Sequence, residues 1–536
     1  MGKLRLGVLA SAACLLGLII AFHPMITSSF RLEHGDTDSR FLGYVLEHGY
    51  RWLNGDAFHS SFWSPPIFHP QQNVSAYGDT LLTLAPFYWV WRVFGLTPDT
   101  SFSLWLITLT TLNYLAALFL LRRGFSFSWP ATIFGAALFA FASPRLQQLT
   151  HGQLIPGFWV LLAIFALQRL LTAGSKRWIA LFFAAYAAQV YANIYIAWFF
   201  SLCLAAAGSV ALCSARSRNR LAELLRGTWP MLLASGAAFG LVVLPLAARY
   251  LHAADNVTLK SFEEISLSLP RPHSWLHHGE AHWLYGWLTE LIGYRHLPLE
   301  QEHRLGIGFL TLTLALIGLY RHRREPLVRF LVLPVLIICF IATALPGGIQ
   351  LWRAVYESVP GAYAIRAVGR IVLLALIPLA VGLAYFAEDL LRRDRVRWVP
   401  ALILLCLLEQ GSGYETFDRH EAERRVQALV AEIPADCDAF FYAPVADPRH
   451  VRWITNHELQ IDAMWASLRA RTPTINGYSG CFPPDWDLYQ NIAWTPRDEA
   501  RIRAAYRDWI DQGGLADEAI RFLTSPSPSQ YLFEPK

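Results

Sequence analysis

Charge is scarce in this 536-residue chain: Asp, Glu, Lys and Arg make up 16% of it, against 54% hydrophobic residues. An ordinary soluble domain is about a quarter charged, so a soluble enzyme of typical make-up is excluded. Seven cysteines are too few for a disulfide-built scaffold of this length. Disorder is excluded by the opposite signal, since 20 Trp, 21 Tyr and 33 Phe need a core or a membrane to bury them. No phosphate-cradling P-loop is present, and no internal repeat of the kind that builds secondary transporters. The apolar stretches carry almost no ionisable residue at their middles; Gln189 and Asn193 are the polar exceptions, and Arg169 and Arg329 lie near ends. Proton-coupled transport, which needs a buried Asp, Glu or His relay, is disfavoured. No nucleic-acid signature stands out, because the basic residues fall in short clusters that membrane orientation accounts for.

What charge there is divides unevenly. From Ser412 onward there are 19 acidic and 13 basic residues, net −6, whereas the rest of the chain has 32 basic and 21 acidic, net +11. An apolar, basic body joined to an acidic tail reads as a membrane protein carrying one soluble domain. A helix crossing the hydrocarbon needs about 20 mostly apolar residues. Leu6–Phe22 qualifies, behind Lys3 and Arg5, and its poor cleavage site (Ala21-Phe22-His23) reads as a retained anchor. Further spans are expected near 101–121, 129–143, 154–171, 178–192, 194–213, 229–249, 305–320, 327–345, 369–390 and 397–411. The fold class is therefore an all-α polytopic membrane protein of about eleven helices, residues 1–411, with a small α/β domain at 412–536.

Orientation follows from the basic loops. With the N-terminus cytoplasmic, strict alternation places Arg122-Arg123, Lys176-Arg177, Arg216/Arg218/Arg220, Arg321/Arg323/Arg324 and Arg392/Arg393/Arg395/Arg397 inside. Every loop that should be basic is basic, which predicts N-in, C-out. Three long outer loops result, at about 23–100, 251–304 and 347–366. The loop 251–304 holds seven acids against four bases. Leu81–Phe94, short and interrupted by Pro86 and Arg92, reads as an interfacial helix with its Phe, Tyr and Trp residues at the outer surface.

Within the tail, Arg419–Ile433, His457–Ala470 and Arg497–Gln512 have helical spacing, Ala439–Val445 reads as a buried strand, and Asn476-Gly477 marks a turn. Cys437 and Cys481 are the tail's only cysteines. An oxidising outer compartment permits a disulfide between them, and two free buried thiols are the other reading.

The sharpest local signal is His34-Gly35-Asp36-Thr37-Asp38-Ser39, just beyond the first span. Two carboxylates at i and i+2 near a membrane surface suit acid–base or metal work on a lipid-borne substrate. Gly35 gives the backbone room to bring Asp36 close to a ligand. Alternatively Asp36 or Asp38 caps a helix beginning near Arg40. In the loop 251–304, His278 and His282 have a spacing that would suit zinc on a helix, although no His-Glu-x-x-His pattern is present.

The order of these parts resembles the integral-membrane glycosyltransferases of the C superfamily, which use polyprenyl-phosphate-linked sugars. The resemblance covers roughly 1–411 and rests on an acid early in a large first outer loop (Asp36), interfacial helices (Trp52 to Phe94), and a span ending in a basic turn (Arg122-Arg123). It implies transfer of a sugar from a polyprenyl-phosphate donor to a glycan, lipid or protein acceptor at the outer face of a cytoplasmic membrane, with membrane lipids as surroundings. Asp36 would be the general base on an acceptor hydroxyl, and Asp38 a second acid or a metal ligand. Metal-dependent relatives carry further acids in the next outer loop, but Ser143 to Gly152 has none, so no cofactor is firmly expected and a divalent metal is doubtful. His151 would bind sugar or phosphate, or is an interfacial histidine. Arg366 and Arg370, four apart at the start of a span, would share a helix face and grip phosphate oxygens, or snorkel to lipid headgroups. The competing class is a non-catalytic membrane protein that binds or moves a polyprenyl lipid or supports assembly of an envelope polymer.

Overall fold

A computed structural model of the chain describes residues 3–35, 37–254, 260–445, 455–516 and 519–525. Each expected apolar segment lies on a helix: Lys3–Thr27, Pro98–Phe119, Trp129–Phe141, Phe158–Ala173, Arg177–Ala192, Ile194–Leu212, Ala215–Ala254, Phe309–Arg321, Leu333–Ala342, Val372–Arg392 and Trp398–Leu408. Among the described residues six helices, counted with their flanking turns, are long and apolar enough to cross a membrane. They are Leu4–Thr27, Pro98–Gly124, Gly152–Ala173, Ile194–Leu212, Ala215–Ala254 and Val368–Arg392. Arg216, Arg218 and Arg220 are expected in a loop, yet they occupy the first turns of the 40-residue helix Ala215–Ala254. The stretch after them, Leu221-Ala222-Glu223-Leu224-Leu225, consists of strong helix formers, so nothing breaks the helix there.

The chain divides into two compact units. The first comprises Met1–Ile26, Leu106–Leu244 and Leu259–Tyr414. Its centre depends on glycine. A side-chain carbon on Gly318 would sit 1.9 Å from the Gly382 carbonyl oxygen, and one on Gly382 would sit 2.4 Å from that of Ala315. Helices Phe309–Arg321 and Val372–Arg392 therefore pack backbone against backbone, as small residues permit where lipid offers no hydrophobic drive for association. Polar bonds tie one set of helix ends: Arg321 and His322 meet Asp389 at 3.3 and 3.0 Å, and the Ser128 N–H donates to Glu388 at 2.5 Å. Elsewhere the long loops meet one another. Ala344 N–H donates to Pro270 O at 2.8 Å, Trp283 N–H to Gly411 O at 3.1 Å, and Ser143 N–H to Gln410 at 2.9 Å.

The second unit comprises Thr27–Trp105, Pro245–Thr258 and Glu415–Lys536. Composition breaks at 411/412, but compactness joins the tail to the first long loop. The reason lies in the core, where Phe440, Phe441, Met464 and Trp465 of the tail pack with Tyr44, Phe68 and Tyr77 of the loop. Among the described residues the unit has two small sheets. Leu32–His34 pairs antiparallel with Thr416–Asp418, Glu33 opposite Phe417, and Ala439–Tyr442 pairs parallel with Ile520–Leu523. The tail helices Arg419–Glu432, Asn456–Ala470 and Pro496–Gly513 match the periodicity, and the latter two open with capping boxes, Thr455/Glu458 and Thr495/Asp498. The segment 81–94 is helical only over Ala85–Val93, with Val90, Val93 and Phe94 exposed and Tyr88 buried.

Cys437 and Cys481, the expected disulfide pair, are not joined to each other in the structure. Each has different neighbours. Cys437 lies in the turn before strand Ala439–Tyr442 and donates to the Pro434 carbonyl at 3.1 Å. Cys481 follows the 474–480 loop, its N–H on Tyr77 O at 3.1 Å.

Candidate functional site

In the first unit the loop sequence Arg366-Ala-Val-Gly-Arg370 enters the helix Val372–Arg392 through the 3-10 turn Val368–Ile371. The Arg370 guanidinium donates to Glu302 at 2.9 Å, with both side chains about nine-tenths buried. Gly369 allows this approach, because a side-chain carbon there would fall 2.6 Å from the Glu302 carbonyl oxygen. Arg366 is exposed, its backbone N–H donates to the Tyr195 hydroxyl at 2.8 Å, and the Tyr195 ring lies 5.3 Å from the Arg370 guanidinium carbon. Burial acts to raise the Glu302 carboxyl, but the charges of Arg370, His151 and Arg366 together hold it below the ordinary carboxylate range. Three residues chosen from the sequence thus act on one carboxylate that the sequence did not single out.

The means differ from the expectation. Arg366 and Arg370 do not share a helix face, because Ile365 (φ −94°, ψ 85°) and Ala367 (φ −92°, ψ 80°) are not helical. Glu302 and Tyr195 bring the two arginines together instead. His151 is half-buried in the turn 147–152, with Nδ1 3.1 Å from the Thr150 hydroxyl. That loop is pinned by Arg145, which is fully buried and donates to the carbonyls of Phe139, Ile155 and Leu373 at 3.0, 2.5 and 3.3 Å. The two arginines and one carboxylate leave a net positive charge beside an exposed guanidinium, which suits an anion.

The histidines of 273–303 serve the loop itself. His278 Nε2 accepts the Gly308 N–H at 2.9 Å, and His282 Nδ1 accepts the N–H groups of Leu284 and Tyr285, each at 3.2 Å. Burial holds their basicity far below normal, at about 3 for His278 and about 4 for His282. His277 bonds Glu300; burial raises that carboxyl, but His277 and Arg304 bring it down to about 2. His278 and His282 do not lie on a helix, since Gly279 turns the chain at φ +82°. Among the described residues no three His, Cys, Asp or Glu side chains gather to hold a metal ion.

The acidic motif belongs to the second unit. Asp36 lies outside the described residues. Gly35 beside it is in the left-handed region (φ +63°), and its N–H donates to Glu415 O at 2.8 Å. The following helix begins at Thr37, earlier than the sequence implied, which places Asp38 in its first turn. Asp38 Oδ1 accepts the Tyr478 hydroxyl at 2.8 Å. Glu33, two strand residues upstream of Gly35, is buried against Ser103 and the His34 N–H; burial pushes its carboxyl up to about 7 despite those donors and Arg419. Further along, Arg40 and Arg425 clasp Asp462, each at 2.7 Å. Glu47 accepts from Tyr88 and Arg92, both at 2.8 Å. No sequence signal marked Tyr478, Glu302 or Tyr195; they act through contacts between segments far apart in the chain.

A helical protein with long apolar helices, glycine-mediated helix packing and a cationic loop cluster defines a class, that of multi-helix membrane proteins with an anion-compatible loop site. Solved structures align with most of this chain at low identity and with TM-scores below 0.5. Arabinofuranosyltransferase AftD from Mycobacteria aligns with 90% of this chain at 16% identity and a TM-score of 0.49; this chain spans 32% of that one. The oligosaccharyltransferase AglB from Archaeoglobus fulgidus, solved with an inhibitory peptide and a dolichol-phosphate, aligns with 95% at 12% identity and a TM-score of 0.48, this chain spanning 68% of it. ArnT from Cupriavidus metallidurans aligns with 87% at 12% identity and a TM-score of 0.41, with 84% of its own length covered. The chain matches no protein-family model and no curated protein in sequence.

Proposed function

We propose that this protein is a membrane glycosyltransferase that moves a sugar from a polyprenyl-phosphate carrier to an acceptor hydroxyl at the outer face. The observation that supports it most is the loop cluster in which Arg366, Arg370 and His151 act on Glu302. A lipid phosphate needs cationic donors close to an apolar helix, and the long apolar helix Val368–Arg392 includes Arg370 in its first turn. The exposed Arg366 would meet the phosphate first, and Arg370 would turn one N–H toward it while keeping Glu302. In the reaction the anomeric carbon–phosphate oxygen bond breaks and a glycosidic bond to the acceptor oxygen forms. The acceptor proton goes to a carboxylate, for which Asp36, with Asp38 as the second acid, is the candidate taken from the sequence, and the polyprenyl phosphate leaves as an anion. The charge asymmetry of the loops supports an N-in orientation with the tail outside.

The test is transfer of labelled sugar from a polyprenyl-phosphate donor by the purified protein. Asp36→Asn keeps shape and hydrogen bonding but removes the base, so turnover should fall about 100-fold or more while donor binding persists. Wild-type rates in that variant refute the catalytic role and favour a lipid-binding scaffold.

A further inference from the structure

We propose that Tyr478 of the C-terminal segment is a positioning residue for the acidic motif, orienting the Asp38 carboxylate through its hydroxyl. The inference rests on the glycosyl-transfer reading for what Asp38 does, but not for the bond itself. Tyr478 lies 440 residues further along the chain and donates to Asp38 Oδ1 at 2.8 Å. Its ring is fixed from two sides. Phe41, one turn beyond Asp38 on the same helix, meets it edge-on with centroids 5.5 Å apart, and His457 meets it edge-on at 5.5 Å. His457 is in turn bonded to the Tyr489 hydroxyl.

The backbone under Tyr478 is fixed more firmly still. Asn476 and Gln460 are both fully buried. Asn476 accepts the Tyr442 N–H at 2.7 Å and donates to Tyr442 O at 3.0 Å and to Gln460 at 2.9 Å. Gln460 also accepts the Gly477 N–H at 3.1 Å. Gly477 is pressed against Phe68, since a side-chain carbon there would come within 2.4 Å of its ring. Two buried amides with their hydrogen bonds satisfied hold one loop conformation and resist any other. The side chain that leaves this loop next is Tyr478. Asp38, Tyr478, His457 and Tyr489 are all half-buried, so solvent or a ligand reaches the cluster.

Among the described residues of the tail, the Tyr478 hydroxyl, His457 and Tyr489 face Asp38. On its own helix Arg40 is directed to Asp462. Burial lowers the basicity of His457, although Asp38 and Glu458 act against it. A hydroxyl donating to a carboxylate favours the ionised form. Losing it makes the acid easier to protonate, which moves the acidic limb of the pH–rate profile upward.

The experiment compares Tyr478→Phe, which keeps the ring and removes the hydroxyl, with wild type and with Asp38→Asn. In Tyr478→Phe the acidic limb should rise by about 1 pH unit, the worth of one hydrogen bond to a charged group. Donor KM should hold while kcat falls on that limb. Tyr489→Phe should shift the limb the same way by less, and it serves if Tyr478→Phe folds poorly. Infrared titration of the Asp38 carboxyl, isolated by subtracting Asp38→Asn, reads the same group with no substrate present. It decides the matter even if the wild type transfers no sugar, an outcome that refutes the proposed function alone. An Asp38 titration unmoved in both tyrosine variants overturns the inference.

Discussion

Removing the Arg370 guanidinium should damage stability and donor binding together, and a second substitution should separate the two. Glu302 and Arg370 meet at 2.9 Å with side chains 10% and 9% exposed. Arg370→Ala leaves a buried carboxylate without its nearest cation, a change that costs about 3–5 kcal/mol for buried pairs, here eased by Arg366 and His151. Replacing both partners by apolar residues of similar volume, Arg370→Met with Glu302→Leu, removes the stranded charge and should return most of that stability. Donor binding should not return, because the phosphate loses a charge-assisted bond worth roughly 1.5–3 kcal/mol in both variants. The pH dependence has a definite sign. The folded-state carboxyl of Glu302 lies below its ordinary value. The pair's contribution is therefore complete above the unfolded value of about 4.3 and is lost as pH falls through the folded value. The gap between wild type and Arg370→Ala should be widest near neutral pH and narrow in acid. Thermal unfolding in lipid nanodiscs and equilibrium binding of a labelled polyprenyl phosphate measure the two quantities. Wild-type unfolding and wild-type binding in Arg370→Ala would refute the reasoning; restored binding in the double variant would remove the phosphate role.

Three further outcomes are expected. Arg145→Lys should destabilise the loop carrying His151, because one ammonium cannot reach three carbonyls lying in different directions; hydrogen exchange should rise over 143–157, and unchanged protection there counts against it. Cys437 and Cys481 should both react with an alkylating reagent on unfolding without reductant, and intact mass showing neither modified would restore the disulfide. Cysteine labelling in intact cells should reach position 283 from outside and miss 218 and 324, the reverse pattern overturning the proposed orientation.

The parts of the fold that follow local rules were readable along the chain. Each apolar run became a helix because backbone polar groups buried in an apolar setting must bond within the segment. The tail helices matched for a related reason: apolar spacing and cap residues such as Thr455 and Thr495 are local signals. The site was readable only in fragments. Residue type and loop position mark His151, Arg366 and Arg370, but helical spacing does not relate the two arginines. The two non-helical residues Ile365 and Ala367 carry no sequence mark.

By itself the sequence determined the helical membrane class, the basic turns and the acidic tail, since hydrophobic run length and charge act at short range and need no partner. Only the tertiary structure decided which distant groups meet. It paired Glu302 with Arg370, and seated Tyr478 on Asp38 across 440 residues. It also joined the tail to the residues after Thr27 through a shared core, where composition alone placed a boundary at 411. A residue's partner across such a distance depends on how surfaces pack, and packing is a property of three-dimensional shape that no window along the chain contains.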